Sequence, residues 1–434
     1  MKVSIFGLGY VGLLSAACLT RAGHTVIGTD PEPRRTALTD MGRFLVLGPG
    51  LKLAITEAAS SGSFRTTLDA RSAVLESDVT LICVAMPSNA NGSLNLRDFD
   101  AVCIQIGLAL AAKGDYHLVV VRSAVLPGTV EGRLTLLIEQ HSGRRPGHHF
   151  GVCMYPVSSK DWNEGPDFDT SAPIIIGELD KGSGDAAKQL YATTNATFVR
   201  TSIQTAEMLN YANKALYAVH LTFANEIGNL CAAHGIDGHK VIKHSCLDHQ
   251  ANPSAPFFSP EFAFEGPYFA KDLRALVYRA KEQDVDCPLL SAALLTSQNQ
   301  IAHAIELVEQ TRRSRIGILG FGVKAGAADI HENPIVCLAE ILVGKGYAVK
   351  IFHENPDQTP PDDTTTFFLE CGLPHIAKLL SSCLQEFLQE SEVVIIANSD
   401  HAARNVPSLL MNDQILIDLA GVSREVTASL PQHS

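Results

Sequence analysis

The sequence predicts an α/β protein with two doubly wound parallel sheets joined by a long central helix. Strand-sized apolar runs alternate with helical stretches near the amino terminus, and the same alternation returns near the carboxyl terminus. A long helical stretch without proline lies between them. Strands that alternate with helices form parallel sheets with helices on both faces. At 434 residues, the chain is also too long for one hydrophobic core.

The first region begins with a strand at residues 2–6, followed by a glycine-rich turn and an alanine-rich helix. The further strand candidates in this region are residues 24–30, 79–85, 118–122, 150–154, 174–177 and 197–200. Helical stretches separate most of them, which is typical of a doubly wound sheet. We assign residues 1–204 to this first domain.

The middle of the chain changes pattern. Residues 205–234 keep helical apolar spacing without proline, which makes a longer helix than is usual in a globular domain. Such a helix spans domains or forms a dimer interface, so we expect a homodimer. The alternation of strands and helices restarts at residue 315, with strand candidates at residues 316–319, 348–352, 393–397 and 415–419. We therefore expect a central helical domain at 205–310 and a second α/β domain at 311–434.

Composition restricts the classes of partner. A net charge of −12 argues against nucleic acid or an anionic membrane surface as the main partner. No apolar run approaches the roughly 18 residues that a membrane span requires, and the start MKVSIFGLGY lacks the pattern of a signal peptide. Ten cysteines scattered without a CxxC pair are typical of reduced thiols in the cytoplasm. Histidines recur at five-residue steps from His234 to His249 but share no helical face, so we expect no metal site.

A glycine-rich turn joins the first strand to the first helix. In this context Gly7 makes the tight turn, Gly9 lets the backbone approach a pyrophosphate, and Gly12 permits close packing of helix on strand. Tyr10 and Val11 begin the helix, whose N–H groups and dipole favour an anion. The turn therefore predicts a site for the phosphates of a dinucleotide.

An acidic residue completes this pattern. Asp30 ends the second strand, eighteen residues after Gly12, and can accept hydrogen bonds from the adenosine ribose. A carboxylate at this position favours NAD over NADP as the cofactor. The complete series of strand, turn, helix, strand and acid predicts a Rossmann-like domain that binds NAD. The alternative is a glycine-rich turn in a doubly wound sheet that binds nothing.

Several segments, in one order along the chain, resemble a known family. They are IFGLGYVGL, LICVAMPS, VVVRSAVLPGTV, LTFANEIGN, FAFEGPYFAKDLRAL and GILGFGVKAGAADIHENP. They resemble the UDP-glucose/GDP-mannose dehydrogenase family, with the GDP-mannose enzymes as the most similar branch, over essentially the whole chain. The resemblance implies an NAD domain, a central dimer-forming helix and a carboxyl-terminal nucleotide-sugar domain. Family members oxidise a sugar CH₂OH to a carboxylate in two NAD-dependent steps, through a cysteine-linked thiohemiacetal.

Most cofactor-side residues of the family pattern are retained. Besides the turn and Asp30, the resemblance assigns cofactor roles to Pro87, Ser123, Lys271 and Lys324, and Arg122 is also kept. Asp272 is retained as well, and in the family this residue polarises a water or the substrate hydroxyl. The resemblance therefore implies that NAD binding and one polar catalytic residue survive.

The catalytic positions depart from the family pattern. The family motif FGGSCLPKD has its nucleophilic cysteine where this chain has Tyr268, and a phenol with a pKa of about 10 is a poor substitute for a thiolate.

The motif NPEFLRE ends here in Asp161 instead of its second glutamate. The motif KYxxN becomes Asn210-Tyr-Ala-Asn-Lys214, so its lysine is lost and its asparagine is replaced by lysine. A later helix lysine is His220. Further departures lie at Ala124, Val157, Ala255, Pro256, Phe257 and His331.

Three functions fit a chain that keeps the cofactor-binding residues of the family and replaces its catalytic and substrate-binding residues. The first is an NAD-dependent oxidoreductase that oxidises an alcohol of a sugar, nucleoside or nucleotide sugar and stops at the carbonyl. In it, Tyr268 near Lys214 or Lys271 is a candidate acid/base, because a nearby cation lowers a phenol pKa; the alternative is that Tyr268 only fills an apolar pocket. The second is a redox-neutral dehydratase or epimerase that acts by transient oxidation. The third is a catalytically dead binding or regulatory protein.

Overall fold

The computed structural model describes residues 1–40, 49–157, 173–194, 196–247, 260, 262–264, 269–321, 333–352, 373–398 and 401–422. Contacts divide the chain into two compact units, Met1–Lys214 and Ala215–Ser434. The boundary falls within a helix of 31 residues, Ile203–Ala233. The finer division into domains at 1–204, 205–310 and 311–434 stays a prediction.

The first unit is built of strands and helices that alternate along the chain. Its described strands are β1 (Lys2–Phe6), β2 (Thr25–Thr29), β3 (Phe64–Thr67), β4 (Val79–Ile82), β5 (His117–Val121), β6 (Phe150–Met154), β7 (Ile174–Glu178) and β8 (Phe198–Ser202). Its described helices are α1 (Tyr10–Arg21), α2 (Pro33–Asp40), α3 (Pro49–Ser60), α4 (Ala70–Leu75), α5 (Arg97–Ala111), α6 (Thr135–Ser142), α7 (Lys181–Leu190) and the start of α8 (Ile203–Ala233). A π-helical turn, Val130–Leu134, leads into α6.

These described strands form one sheet in the order β3-β2-β1-β4-β5-β6-β7-β8. The strands from β3 to β6 pair in parallel, and β1 lies between β2 and β4. Every residue of β4, β5 and β6 is buried, as expected of parallel strands covered on both faces. The expected doubly wound sheet is confirmed, and the winding reverses between β1 and β4.

The far edge of the sheet differs from a simple parallel extension. β7 pairs antiparallel with β6, with Cys153 opposite Glu178, and β8 then pairs in parallel with β7. Antiparallel neighbours do not need the long crossover connection that parallel neighbours require. The sequence predicted both strands but not the reversed direction of β7, because apolar runs carry no information on strand direction.

A buried polar network crosses the amino-terminal part of the same sheet. Lys113 Nζ lies 3.1 Å from His117 Nδ1, and His117 Nε2 lies 2.7 Å from Thr80 Oγ1. Thr80 Oγ1 lies 2.7 Å from Ser4 Oγ. Burial, and then the charge of Lys113, lowers the pKa of His117 to about 3, so the ring is neutral. Because an ammonium only donates, Nδ1 accepts and Nε2 carries the hydrogen.

The second unit repeats the parallel arrangement on a smaller scale. Its described strands are β9 (Arg315–Leu319), β10 (Ala348–Phe352), β11 (Leu380–Ser381), β12 (Val393–Ile396) and β13 (Ile415–Asp418). They pair in parallel in the order β11-β10-β9-β12-β13. Its described helices, after the remainder of α8, are α9 (Gly238–Ser245), α10 (Phe269–Glu282), α11 (Pro288–Thr311), α12 (Pro334–Gly344), α13 (Pro374–Ala377), α14 (Leu384–Glu390) and α15 (His401–Leu409).

The predicted long helix and the predicted strands are present in the structure. α8 covers the expected region, and each strand candidate overlaps an observed strand. Two short strands, β3 and β11, were not predicted. In the part of the chain that the structure describes, no helix combines the length and hydrophobicity needed to cross a membrane.

Candidate active site

The glycine-rich turn has backbone geometry that only glycine accommodates. Gly7 has a φ of 99°, and its N–H donates to Thr29 O at 2.9 Å, which ties the turn to the end of β2. A Cβ on Gly7 would lie 2.7 Å from Cys83 O, and a Cβ on Gly12 would collide with Gly7 O. The two glycines therefore allow α1 to pack directly against the ends of β1 and β4.

Gly9 has a different environment, which suits a ligand. A Cβ on Gly9 would meet no protein atom within 4 Å, so the backbone there faces open space. Gly9 is the N-cap of α1, which has no side-chain cap and no acidic residue in its first turn. Tyr10 is buried and Val11 half-buried as the first residues of this helix. An approachable backbone beside such a helix N-terminus fits a pyrophosphate.

Asp30 is held in place beside the turn. It is buried at the end of β2, where its carboxylate accepts the N–H of Leu8 at 2.8 Å and the N–H of Glu32 at 3.0 Å. Since the first N–H belongs to the turn itself, the carboxylate has a fixed position relative to the phosphate site. This is the position at which an acidic side chain binds the ribose of a dinucleotide.

The carboxyl end of β5 adds buried polar side chains. Arg122 stacks over the ring of Tyr155, with its guanidinium carbon 4.4 Å from the ring centre, and its Nη1 donates to Ser15 Oγ of α1 at 2.7 Å. Ser123 Oγ donates to Val84 O at 2.7 Å. These bonds connect the end of β5 with α1 and with the segment after β4, on the side of the sheet where the winding reverses.

The loop that follows Ser123 is held by α8. The carboxylate of Glu207 accepts the N–H of Gly128 at 2.7 Å and the N–H of Val130 at 2.8 Å. Tyr211 Oη, one turn later on α8, donates to Ala124 O at 3.1 Å. Burial raises the pKa of Glu207 to about 7, although the two N–H groups oppose this shift. The start of α8 therefore fixes both ends of the loop.

On this face of α8, sequence reasoning missed Glu207, and it identified Asn210 only as the replacement of a family lysine, without a role of its own. Both are buried, and so is Lys214, which sequence analysis did select. Neither amide atom of Asn210 has a hydrogen-bond partner among the described residues. The available signal was the spacing of these three residues, at i, i+3 and i+7, which places them on one face of a helix.

In the second unit, Lys271 and Asp272 form an ion pair in the first turn of α10. Lys271 Nζ lies 2.7 Å from Asp272 Oδ1, and both side chains are buried. The next residue, Leu273, belongs to a buried apolar cluster that also contains Leu221 of α8 and Phe264, so the pair lies beside this cluster. Such a cluster excludes water and strengthens the attraction between the two charges.

Of the remaining predicted site residues, the structure describes two and leaves three outside its described range. His220 is half-buried on α8, and burial lowers its pKa. Pro87 is half-buried, and its carbonyl accepts the N–H of Asn95 at 2.8 Å. Asp161, Tyr268 and Lys324 lie outside the described residues. Of the side chains that the structure describes, no group of three or more is arranged to hold a metal ion.

The turn, the open backbone at Gly9 and the anchored Asp30 define an α/β protein of the dinucleotide-binding class. Two models of the UDP-glucose/GDP-mannose dehydrogenase family match the chain. The model of the NAD binding domain matches residues 1–195, and the model of the central domain matches residues 204–299. The chain therefore belongs to the UDP-glucose/GDP-mannose dehydrogenase family, and its cofactor is NAD.

Individual relatives agree with this assignment. The chain is 38% identical to the GDP-mannose 6-dehydrogenase of Pseudomonas aeruginosa, over 99% of this chain and 98% of the relative. It is 29% identical to a UDP-glucose 6-dehydrogenase of Haloferax volcanii, over 80% and 81% of the two chains. The solved structure of a UDP-glucose dehydrogenase from Pyrobaculum islandicum aligns with a TM-score of 0.86 at 27% identity, over 98% of this chain and 95% of the other. The predicted family and fold class are both confirmed.

Proposed function

We propose that this protein is an NAD-dependent oxidoreductase that converts an alcohol of a sugar, nucleoside or nucleotide sugar to a carbonyl and stops there. The observation that carries the proposal is the buried ion pair of Lys271 and Asp272. It follows closely after Tyr268, which stands where the family motif has its nucleophilic cysteine. A centre for proton transfer is thus retained beside a position that has lost its thiol.

The residues of this chain account for the proton in such a reaction. NAD, when bound, supplies the acceptor for the hydride. The hydroxyl proton needs a base, and we assign that role to Asp272, whose carboxylate is oriented by Lys271 Nζ at 2.7 Å. Loss of one hydride from carbon and one proton from oxygen leaves a carbonyl. The burial of both side chains keeps the carboxylate away from bulk water.

The second oxidation requires a covalent adduct, and this chain has no cysteine at the position of the family's nucleophile. A thiolate is needed to capture the aldehyde, and thiol reactivity depends on a lowered pKa. Burial instead raises the pKa of Cys103 and that of Cys153, and both lie in the core of the first unit. Tyr268 is a phenol, which is a poor nucleophile near neutral pH. We therefore propose the carbonyl as the final product.

Four other residues are proposed to serve the substrate side. Tyr268 is the candidate acid/base, because its position in sequence is three residues before the cation Lys271. Lys214, His220 and Asp161 replace different residues of the family motifs, and we propose that they adapt the site to a substrate other than the family's own. The lost nucleotide-sugar contacts at residues 255–257 agree with a smaller substrate.

A redox-neutral dehydratase or epimerase is the second candidate, because it would need the same NAD site and no thiol.

One experiment separates the oxidoreductase from the redox-neutral enzyme. The purified protein is incubated with NAD and a panel of sugars, nucleosides and nucleotide sugars, while absorbance at about 340 nm and product mass are recorded. Net accumulation of NADH with loss of two hydrogens from the substrate supports the oxidoreductase. Product without NADH supports the redox-neutral enzyme. Absence of NAD binding by calorimetry excludes both.

We also propose that the protein is a homodimer through α8. Four large apolar residues of this helix are exposed, and three of them, Leu216, Phe223 and Leu230, recur every seven residues. A seven-residue apolar repeat is the pattern by which two helices pack side by side. Burial of such side chains against a second copy would remove them from water, at a gain of roughly 1–2 kcal/mol for each, since about half of each side chain is already covered.

A further inference from the structure

We propose that Arg122 is a positioning residue of the NAD site, and that its charge raises the affinity of the site for NADH more than for NAD. Arg122 is the first residue after β5, and it is 5% exposed. A guanidinium stays protonated in proteins, so this position carries a permanent buried charge. Its contacts indicate what holds the charge in place and on what it acts.

Two neutral side chains orient the guanidinium. Arg122 Nη1 donates to Ser15 Oγ at 2.7 Å, and Ser15 Oγ in turn donates to Val11 O at 2.6 Å. The guanidinium carbon lies 4.4 Å from the ring centre of Tyr155, so the cation rests on an aromatic face. Because serine and tyrosine are uncharged at neutral pH, these contacts fix the position of the charge without cancelling it.

The stack on Tyr155 depends on a departure from the family motif. Tyr155 stands at the first position of NPEFLRE, where the family has an asparagine. Its ring meets the ring of Tyr191 edge to face, with 5.3 Å between the ring centres, and its N–H donates to Val121 O at 2.8 Å. The replacement of an amide by a held aromatic ring therefore gives Arg122 a face on which to rest.

The position of Arg122 in the sheet indicates which part of the cofactor it serves. In a doubly wound fold, one half of the sheet binds the adenosine of a dinucleotide and the other half binds the second nucleoside. Asp30 ends β2, so we expect the nicotinamide at the carboxyl ends of β4, β5 and β6, where Arg122 and Tyr155 lie. Through Ser15, Arg122 also reaches α1, whose N-terminus fits the pyrophosphate. Ser15 follows the N-cap Gly9 by six residues, about 9 Å along the helix axis.

The net charge of the cofactor depends on its oxidation state. Both forms carry a doubly negative pyrophosphate, and only NAD carries a positive nicotinamide ring. A cation at this place attracts the pyrophosphate of both forms and repels only the oxidised ring. At about 9 Å, one unit charge changes an affinity by roughly 2- to 20-fold, for effective dielectric constants from about 80 to about 20. At about threefold per unit charge, Arg122 contributes about threefold to NAD binding and about tenfold to NADH binding.

The test measures the dissociation constants of NAD and NADH by calorimetry on the full chain without substrate, at low ionic strength. Arg122→Gln removes the charge and keeps a donor for Ser15. We expect it to weaken NADH binding about tenfold and NAD binding about threefold. Arg122→Lys keeps the charge, so the ratio of the two dissociation constants should stay within about twofold of the wild-type ratio.

Arg133→Gln is the matched control, because it removes the same charge from an exposed guanidinium that pairs with Asp100. It should leave both dissociation constants within about twofold. A purely structural role of Arg122 would weaken the binding of both cofactor forms equally, so an unchanged ratio for Arg122→Gln would overturn the proposal. A changed ratio for Arg122→Lys would also overturn it, since the charge is still present in that variant.

A second pair of substitutions tests the stack and leaves Arg122 in place. Tyr155→Phe keeps the ring and should bind both cofactor forms as the wild type does. Tyr155→Leu removes the face that holds the guanidinium, so we expect it to lower the preference for NADH by about two- to threefold. An unchanged preference for Tyr155→Leu would contradict the positioning role, and this arm decides the question if Arg122→Gln does not fold. Since no arm uses a substrate, each outcome is independent of the proposed net reaction.

Discussion

Lys271 Nζ and Asp272 Oδ1 lie 2.7 Å apart, although the two residues are adjacent in a helix and leave its axis in different directions. Their side chains meet because the long lysine stem folds back to the carboxylate. A buried carboxylate with a fixed ammonium is suited to proton transfer, since its orientation is set before the substrate arrives.

Replacing the carboxylate should stop the chemistry. We expect Asp272→Asn to reduce turnover at least about 10²-fold, because an amide keeps the shape but cannot accept a proton. The measurement is initial rate with the substrate found in the panel. The double substitution Lys271→Met with Asp272→Asn is the control, because it also removes the buried cation whose ion pair the single substitution breaks. It should recover stability without recovering activity; appreciable turnover by either variant would contradict the role of Asp272.

Asp30 should contribute directly to NAD affinity. Asp30→Ala removes the carboxylate that we predict to bind the ribose, and we expect NAD binding to weaken by about 1–3 kcal/mol, the value of a charge-assisted hydrogen bond. Isothermal calorimetry on wild type and variant measures the difference. Because Asp30 also accepts the N–H of Leu8, a melting curve must accompany the measurement. An unchanged affinity in a folded variant would disprove the predicted ribose contact.

Substitution of Tyr268 should separate chemistry from packing. Tyr268→Phe should lower turnover by about 10²–10⁴-fold if the phenol is the acid/base, and should have almost no effect if the ring only fills space. Tyr268→Cys should not produce a uronate from UDP-glucose or GDP-mannose, since the family lysine is absent from position 210. Mass spectrometry of the products decides this point. Detection of a carboxylate product from the unmodified protein would refute the proposed single oxidation.

Glu207 should make stability depend on pH. Its pKa is about 7 in the folded chain and near 4.5 when unfolded, so between these values only the folded state keeps the proton. Protonation of Glu207 therefore stabilises the folded state fully below pH 4.5, and this stabilisation is lost as pH rises to 7. Urea unfolding of wild type and Glu207→Gln across this range measures it.

The free energy of unfolding of wild type relative to Glu207→Gln should fall with rising pH and be constant above about 7.5. His117, whose pKa is lowered to about 3, titrates equally in both proteins and cancels in the difference. A difference that does not vary with pH would show that Glu207 has an ordinary pKa.

The exposed stripe on α8 should determine the oligomeric state. Phe223→Glu places a charge in the middle of the proposed interface, and we expect it to convert a dimer to a monomer at micromolar concentration. Leu289→Glu, an equally apolar and exposed position on α11, is the matched control and should stay dimeric. Light scattering gives the mass of each. A monomeric wild type would contradict the dimer itself.

The sequence was informative where one local pattern determines structure. Every residue of β4, β5 and β6 is buried. Burial on both faces selects a continuous apolar run, and this run identified each strand in the sequence. β3 reads Phe-Arg-Thr-Thr, and only its phenylalanine is buried, so no apolar run marked it. β11 has two residues, too few for any periodicity.

The candidate site was predictable to a similar extent. The glycine turn and Asp30 follow a spacing rule, and the structure places them beside one another. Glu207 was missed, and the burial of the Asn210 amide was not foreseen, because both depend on what lies opposite these side chains in space. Helical periodicity shows that Glu207 and Asn210 share a face of the helix. It does not show that Glu207 accepts two backbone N–H groups, or that the amide of Asn210 has no hydrogen-bond partner among the described residues.

The polar network at the amino-terminal part of the first sheet has a consequence for cooperativity. Lys113 can only donate to His117, the ring must then donate to Thr80, and Thr80 must donate to Ser4. The donor in each of these hydrogen bonds is thus fixed by the preceding bond in the series, and reversing the direction of the whole series would cost energy. Breaking any one bond leaves a buried group unsatisfied further along, so β1, β4 and β5 are bound to open together as one unit. The network therefore couples three strands at the end of the sheet opposite the glycine-rich turn and Asp30.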